Sequence, residues 1–245
     1  MNAKLLGTVC AVLLGTGIIV QQGYAEQKPM ADGHKSSVQS VKKQVFKRHG
    51  YKVIVENRTG DPKLTGTIHH FIHTYFYVFP EVLERFQAEG KSVPTVTLVF
   101  EKDYDGVAYT EGDVITISAD WIRQHPDDLG MLTHELTHVA QGYPVYDDNT
   151  WWLTEGIADY SRYLFGPEGN NWALPEVKDG QHYDNGYGVT ARFLLWIEQH
   201  KTPTIVADLN RILQTGSYSP QDFVTLTGEN LDELWADYVQ NPVIN

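Results

Sequence analysis

Residues 126–143 read PDDLGMLTHELTHVAQGY. Asp127 and Asp128 suit the start of a helix, and Gly142 suits its end. Between them Leu132, Leu136, Val139 and Tyr143 form one apolar stripe, which is predicted to face a core. His134 and His138 are four residues apart, so they stack one turn above the other on a different face. Glu135 sits beside them. The pattern is H-E-x-x-H, in which two imidazoles bind zinc and the Glu takes a proton from the attacking water. The helix makes the spacing work, because side chains at i and i+4 converge on a single ion. Taken alone, the same letters also fit an exposed helix face of solvated His and Glu.

The next predicted helix weighs against that plainer reading. After a short polar loop comes TWWLTEGIADYSRYLFG (150–166), with Glu155 and Asp159 again four apart on one face. A catalytic zinc with two His commonly takes a Glu as third ligand and leaves the fourth position to water. A metal-bound His usually donates its other ring N–H to a carboxylate, which fixes its tautomer and orientation. Glu155 as ligand and Asp159 as the orienting carboxylate fill both roles from one helix. Gly156 is weak in a helix interior and is expected to let the backbone approach the motif helix closely. The competing use of Glu155 and Asp159 is pairing with a nearby cation such as Arg162.

Upstream of the motif the chain reads as strands around one helix. YKVIVE, from Tyr51, and VPTVTLVFE (93–101) look like strands, as does GDVITISAD (112–120). Between the first two, residues 63–90 carry helical periodicity through Ile68, Phe71, Ile72, Tyr75, Val78 and Phe79, with Pro80 predicted to kink or divide the helix. After the motif, helical patterns recur near 150–165, 186–200, 203–215 and 231–239. Pro203 falls at a first turn, Gly216 after a last turn, and Asn230 with Glu233 makes a capping pair. Strands first and helices after is an α+β arrangement, and no Pro/Gly-rich linker divides it.

Taken together, GVAYTEGDVITIS (106–118), HELTHVAQ, TEGIADYSRY, GYGVTARFLLWIE (186–198) and LTGENLDELWADY (226–238) resemble the basic secretory protein family of plant and bacterial peptidases. The H-E-x-x-H plus E-x-x-x-D pattern is similar to that of gluzincin metallopeptidases. The likeness runs in order from about residue 45 to the end. Two departures stand out: this chain is acidic, and Thr154 precedes Glu155 where thermolysin-like enzymes often have Asn. The resemblance implies a zincin-like fold, with a small mixed sheet whose edge strand runs over the motif helix and a helical C-terminal lobe. It also implies peptide-bond hydrolysis at one Zn²⁺ per chain.

In that chemistry Glu135 is the general base, and His134, His138 and Glu155 hold the metal. Ile115 and Ile117, on the presumed edge strand, are expected to let a peptide add as an extra strand. A donor for the developing oxyanion is still needed. HYDNGYGVTARF (182–193) offers His182, Tyr183 and Tyr187, and the resemblance favours Tyr187, since it falls in a recurring motif. Packing is the alternative use of each. His69 and His73 are also four apart, but no carboxylate sits between them, so they read as a surface cluster. Asp103 and Asp105 faintly resemble a calcium loop whose ligand sequence does not continue, and a β-turn fits better.

The N-terminus reads as a signal peptide over residues 1–25. Lys4 is followed by an uncharged apolar run (5–20), and Gly23-Tyr24-Ala25 suits cleavage after Ala25. Residues 26–48 are polar and Lys-rich, which predicts a linker or short pro-region ahead of a single domain at 49–245. Cys10, the only cysteine, lies in the leader. The mature chain is therefore expected to lack a thiol, which excludes cysteine hydrolases and disulfide scaffolds. A formal net charge of −12 argues against nucleic acid or an anionic membrane as partner. The expectation is a secreted or periplasmic monomer acting on peptide or protein substrates, as an endopeptidase. An aminopeptidase or amidase using the same zinc is a second reading. A non-catalytic secreted module that keeps zinc is a third, and Glu135 argues against it, because a structural site needs four closed ligands and no base.

Overall fold

The computed structural model describes residues 43–167 and 172–245. The predicted leader and most of the predicted linker lie outside the described residues. Five strands form a mixed sheet: β1 (Lys43–Arg48), β2 (Tyr51–Asn57), β3 (Val96–Glu101), β4 (Ala108–Glu111) and β5 (Val114–Ser118), in the order β1-β2-β3-β5-β4. The three central strands run parallel, and each outer strand is antiparallel to its neighbour. The fold is α+β, as the order of predicted elements indicates.

β1 departs from the sequence reading, which assigned residues 43–48 to the linker. KQVFKR is exposed along nearly its whole length because it is an edge strand, and Lys and Arg on an edge discourage pairing with other chains. Its register with β2 is set by the two-residue loop His49–Gly50, whose φ angles are 49° and 85°. Positive φ at both positions is what a tight type I′ hairpin requires. Polar composition reports exposure here, not lack of structure.

β4 was also missed as a separate strand. Glu111 pairs with Val114 across the two-residue loop Gly112–Asp113, with Gly112 at φ 58°. Because β4 takes the outer position, β5 lies inside the sheet, between β3 and β4. Ile115 and Ile117 are fully buried in the core. The expectation that they line an edge open to a peptide is therefore corrected: the edge strand is β4.

Helix α1 (Thr65–Phe86) connects β2 to β3 and is not divided at Pro80, which costs one backbone bond in a 22-residue helix. It packs on the sheet, where Phe71 meets Phe100 edge to face and Tyr75 donates to the Lys52 carbonyl. His69 and His73 stay on its exposed side. A short helix α2 (Ala119–Gln124), capped by Ser118, leads to the motif helix α3 (Gly130–Gln141). The helical lobe follows as α4 (Trp151–Phe165), α5 (Tyr187–His200), α6 (Ile205–Thr215), α7 (Gln221–Thr227) and α8 (Leu231–Gln240). Two predicted stops hold: Gly142 and Gly216 end α3 and α6 in the left-handed conformation. Asn230 and Glu233 form a reciprocal capping box at the start of α8.

Two local expectations fail for tertiary reasons. α3 starts at Gly130 without a side-chain cap, because Asp128 instead accepts from Trp121 Nε1 and pairs with Arg162 at 2.7 Å. Gly156 is indeed a close-approach glycine, but its partner is α5. A methyl group there would overlap the Thr190 side chain.

Candidate metal centre

α3 is buried on nearly all sides between α1, α4 and β4. Its polar face carries His134, His138 and Gln141, at i, i+4 and i+7, and this face meets Glu155 and Asp159 on α4. Thr137 Oγ1 donates to Ser161 Oγ at 2.7 Å, and Gln141 Nε2 donates to the Thr154 carbonyl at 3.3 Å, so the two helices are also joined beside the cluster. Burial makes each polar group here costly unless it is partnered. The partners are therefore informative.

His134 Nδ1 lies 2.7 Å from Asp159 Oδ1, and His138 Nδ1 lies 2.8 Å from Gln141 Oε1. Both oxygens are acceptors, so each Nδ1 carries a hydrogen and each Nε2 presents a lone pair when the ring is neutral. Those two Nε2 atoms are 3.0 Å apart, and Glu155 Oε2 is 3.1 Å from one and 3.6 Å from the other. Three electron-pair donors at such distances repel one another until a proton or a metal ion is shared among them. Donor atoms around a tetrahedral ion at ordinary zinc bond lengths sit roughly 3.3 Å apart, so the triangle has the right size. Among the described residues this is the one group of three or more His, Cys, Asp or Glu side chains gathered tightly enough to hold a metal ion.

Protonation follows the same logic. Burial disfavours the charged form of His134, but hydrogen bonds to Asp159 and Glu155 outweigh it and push the pKa up to about 9. Burial alone would raise the Glu155 carboxyl, yet the two imidazoles hold it well below the usual carboxylate range. The cluster thus attracts positive charge. Glu135 behaves oppositely: burial pushes its carboxyl up, opposed by the imidazoles and by Thr110.

Glu135 is fully buried and its carboxylate meets the edge strand β4. Thr110 of β4 donates to its Oε2 at 2.7 Å, while Oε1 is buried with no hydrogen-bond partner. An orphaned carboxylate oxygen beside a metal-sized triangle fits an open position for a water. Arg162, the competing cation, pairs with Asp128 and leaves both Glu155 and Asp159 to the histidines.

Of the three oxyanion candidates, Tyr187 stands beside the cluster. Its ring stacks on His134 with centroids 6.1 Å apart and planes at 18°. Its φ is 48°, an unusual conformation for a bulky residue and a common mark of a functional site. The preceding Gly186 (φ 73°) lies against Trp151, where a Cβ would come within 2.6 Å of the indole. Tyr183 packs on Trp152 and Phe193, and half-exposed His182 pairs with Asp184. Neither of these reaches the cluster through those contacts.

Sequence reasoning missed three contributors. Gln141 could have been found, since it lies three residues beyond His138 on the same helical face. Tyr146, whose hydroxyl donates to Glu155 Oε1 at 3.0 Å, sits in an aperiodic loop. Thr110 lies on a strand that was not separately recognised.

The model of the BSP family, described as peptidase of plants and bacteria, matches residues 50–238. The chain belongs to that family, as the order of its motifs implies, and so to a family of peptidases. No curated protein matches the chain. Among solved structures, an aminopeptidase N family protein from Idiomarina loihiensis aligns at 13% identity with a TM-score of 0.42. That alignment covers 84% of this chain and 45% of the other, so the chain spans less than half the length of that protein.

Proposed function

We propose that this protein is a secreted, zinc-dependent metallopeptidase that cleaves internal peptide bonds. The observation that carries the reading is the convergence of His134 Nε2, His138 Nε2 and Glu155 Oε2 next to the unpartnered Oε1 of Glu135. Two His and one Glu with a fourth position left to water is a catalytic donor set, and zinc is the metal that such sites commonly take. Bound there, zinc polarises the scissile carbonyl and lowers the pKa of the attacking water. Asp159 and Gln141 hold the Nδ1 hydrogens and so keep both Nε2 atoms available as donors. Glu135 Oε1 takes the proton of the attacking water and later delivers it to the leaving amine. The Tyr187 hydroxyl donates to the oxygen that becomes negative in the transition state.

An extended substrate lies along the unpaired edge of β4 and adds to the sheet as a further strand. Export rests on the leader-like residues 1–25, cleaved after Ala25.

The test is metal stoichiometry together with cleavage of an unfolded protein substrate, for wild type beside Glu135→Gln. One zinc per chain, with turnover reduced about 10²–10⁴-fold in the variant, is the expected result. Zinc without cleavage by either protein would move the reading to a non-catalytic module or a narrow amidase. A folded protein that takes up no zinc would end it.

A further inference from the structure

We infer that Thr110 is a positioning residue for Glu135: its hydroxyl on the edge strand fixes one carboxylate oxygen and thereby assigns the other to proton transfer. The inference rests on the reading of Glu135 as general base and specifies what makes that base competent.

Along β4 the side chains alternate. Ala108 and Thr110 point inward and are buried, while Tyr109 is half-buried and Glu111 exposed. At an inward strand position a valine of the same shape would bury better, since an interior hydroxyl is unfavourable unless it is bonded. Thr110 spends its single hydroxyl hydrogen on Glu135. The 2.7 Å contact to Oε2 is charge-assisted and shorter than the 3.2 Å approach to the Glu135 backbone carbonyl. Strand and base are thus joined through one residue pair, 25 positions apart in sequence.

Glu135 needs such a partner. Its side chain has three rotatable bonds, its two oxygens are chemically equivalent, and it is fully buried, with Oε1 unbonded. Among the described residues no other hydrogen bond restrains the carboxylate. Without the hydroxyl, the carboxylate turns toward the imidazole cluster, because a loose buried anion moves toward a neighbouring cation. With it, Oε2 is held toward the sheet edge and Oε1 stays free for the attacking water. The same strand is the one beside which the substrate is placed, so base and substrate share one frame.

The decisive variants are Thr110→Val, which keeps the shape and removes the hydroxyl, and Thr110→Ser, which restores the hydroxyl. Each is assayed for zinc content, kcat and KM, and each zinc-loaded protein is crystallised. The expected result for Thr110→Val is one zinc, KM within about twofold of wild type, and kcat lower by about 10–100-fold, the cost of a misplaced reacting group. Thr110→Ser recovers most of the loss. In the crystals the Glu135 carboxylate moves in the valine variant and stays in place in the serine variant. Should Thr110→Val not fold, Thr110→Ala makes the same comparison with a smaller side chain. A wild-type kcat in the valine or alanine variant, or an unmoved Glu135, would overturn the inference. If wild type binds zinc and cleaves nothing, the peptidase reading fails by itself, and the position of Glu135 in the crystals still decides whether Thr110 holds it.

Discussion

His134 and His138 face each other through their Nε2 atoms at 3.0 Å, while the Nδ1 of each ring is held by an oxygen of Asp159 or Gln141. With both rings neutral this arrangement sets two lone pairs against one another, and a shared proton or a metal ion relieves the repulsion. On the proposed reading a metal ion there adds to the fold's stability, since anything that binds only the folded state stabilises it by mass action. Removing metal with a chelator is expected to lower Tm measurably. Free ion at a thousandfold excess over Kd contributes about 4 kcal/mol. Calorimetry before and after chelation, with metal content measured in both samples, checks this. An unchanged Tm after verified metal loss would place the ion elsewhere.

Asp159→Ala is expected to weaken metal binding by about 10–100-fold, because His134 loses the acceptor that fixes its tautomer and ring plane. Gln141→Ala acts in the same direction through His138. Competition with a chromophoric chelator gives the affinities. Wild-type affinity in both variants would show that the ligands hold their geometry without these oxygens.

Tyr187→Phe keeps the ring that stacks on His134 and deletes only the hydroxyl. If the hydroxyl meets the developing oxyanion, kcat drops by about 10²–10³-fold, KM changes little and zinc content stays the same. Full kcat in the phenylalanine variant would leave the ring as packing against His134.

Glu56 on β2 is buried and bonded to Lys43 on β1 at 2.6 Å and to Arg58 at 3.0 Å. The Lys43 hydrogen bond outweighs the raising effect of burial and, with Arg58, holds the carboxyl below its ordinary value of 4.5. Its contribution to stability is therefore complete above that ordinary value and is lost as pH falls through the lower folded value. Glu56→Gln is expected to flatten the acid side of the stability profile, by about 1 kcal/mol or less, since both cations are exposed. Urea unfolding across the acid range reads it. A profile as steep as that of wild type would assign the acid sensitivity to other carboxylates.

The candidate cluster was legible to the extent that its geometry is local. His134 and His138 are brought together by one helical turn, and Glu155 and Asp159 by another. Helix ends were legible where their bonds are local too, as at Gly142 and in the Asn230–Glu233 box. Asp128 shows the limit of that reasoning. By type it suits a cap, yet Trp121 and Arg162 claim its oxygens from farther along the chain.

What the sequence determined by itself is the α+β order of elements, the pairwise spacing of the candidate metal-binding side chains and the family to which the chain belongs. Each depends on backbone bonds and side-chain periods spanning four residues or fewer, or on motifs read in order. Only the tertiary structure decided that β4 is the edge and β5 is internal, that β1 is a strand despite its polar letters, and that Gly156 makes room for Thr190. It alone set the Thr110 hydroxyl on Glu135 and the Tyr146 hydroxyl on Glu155. Strand order and contacts between elements are chosen by burial summed over the whole core. A residue that contributes to that sum carries no mark of its distant partner in its own neighbourhood of the chain.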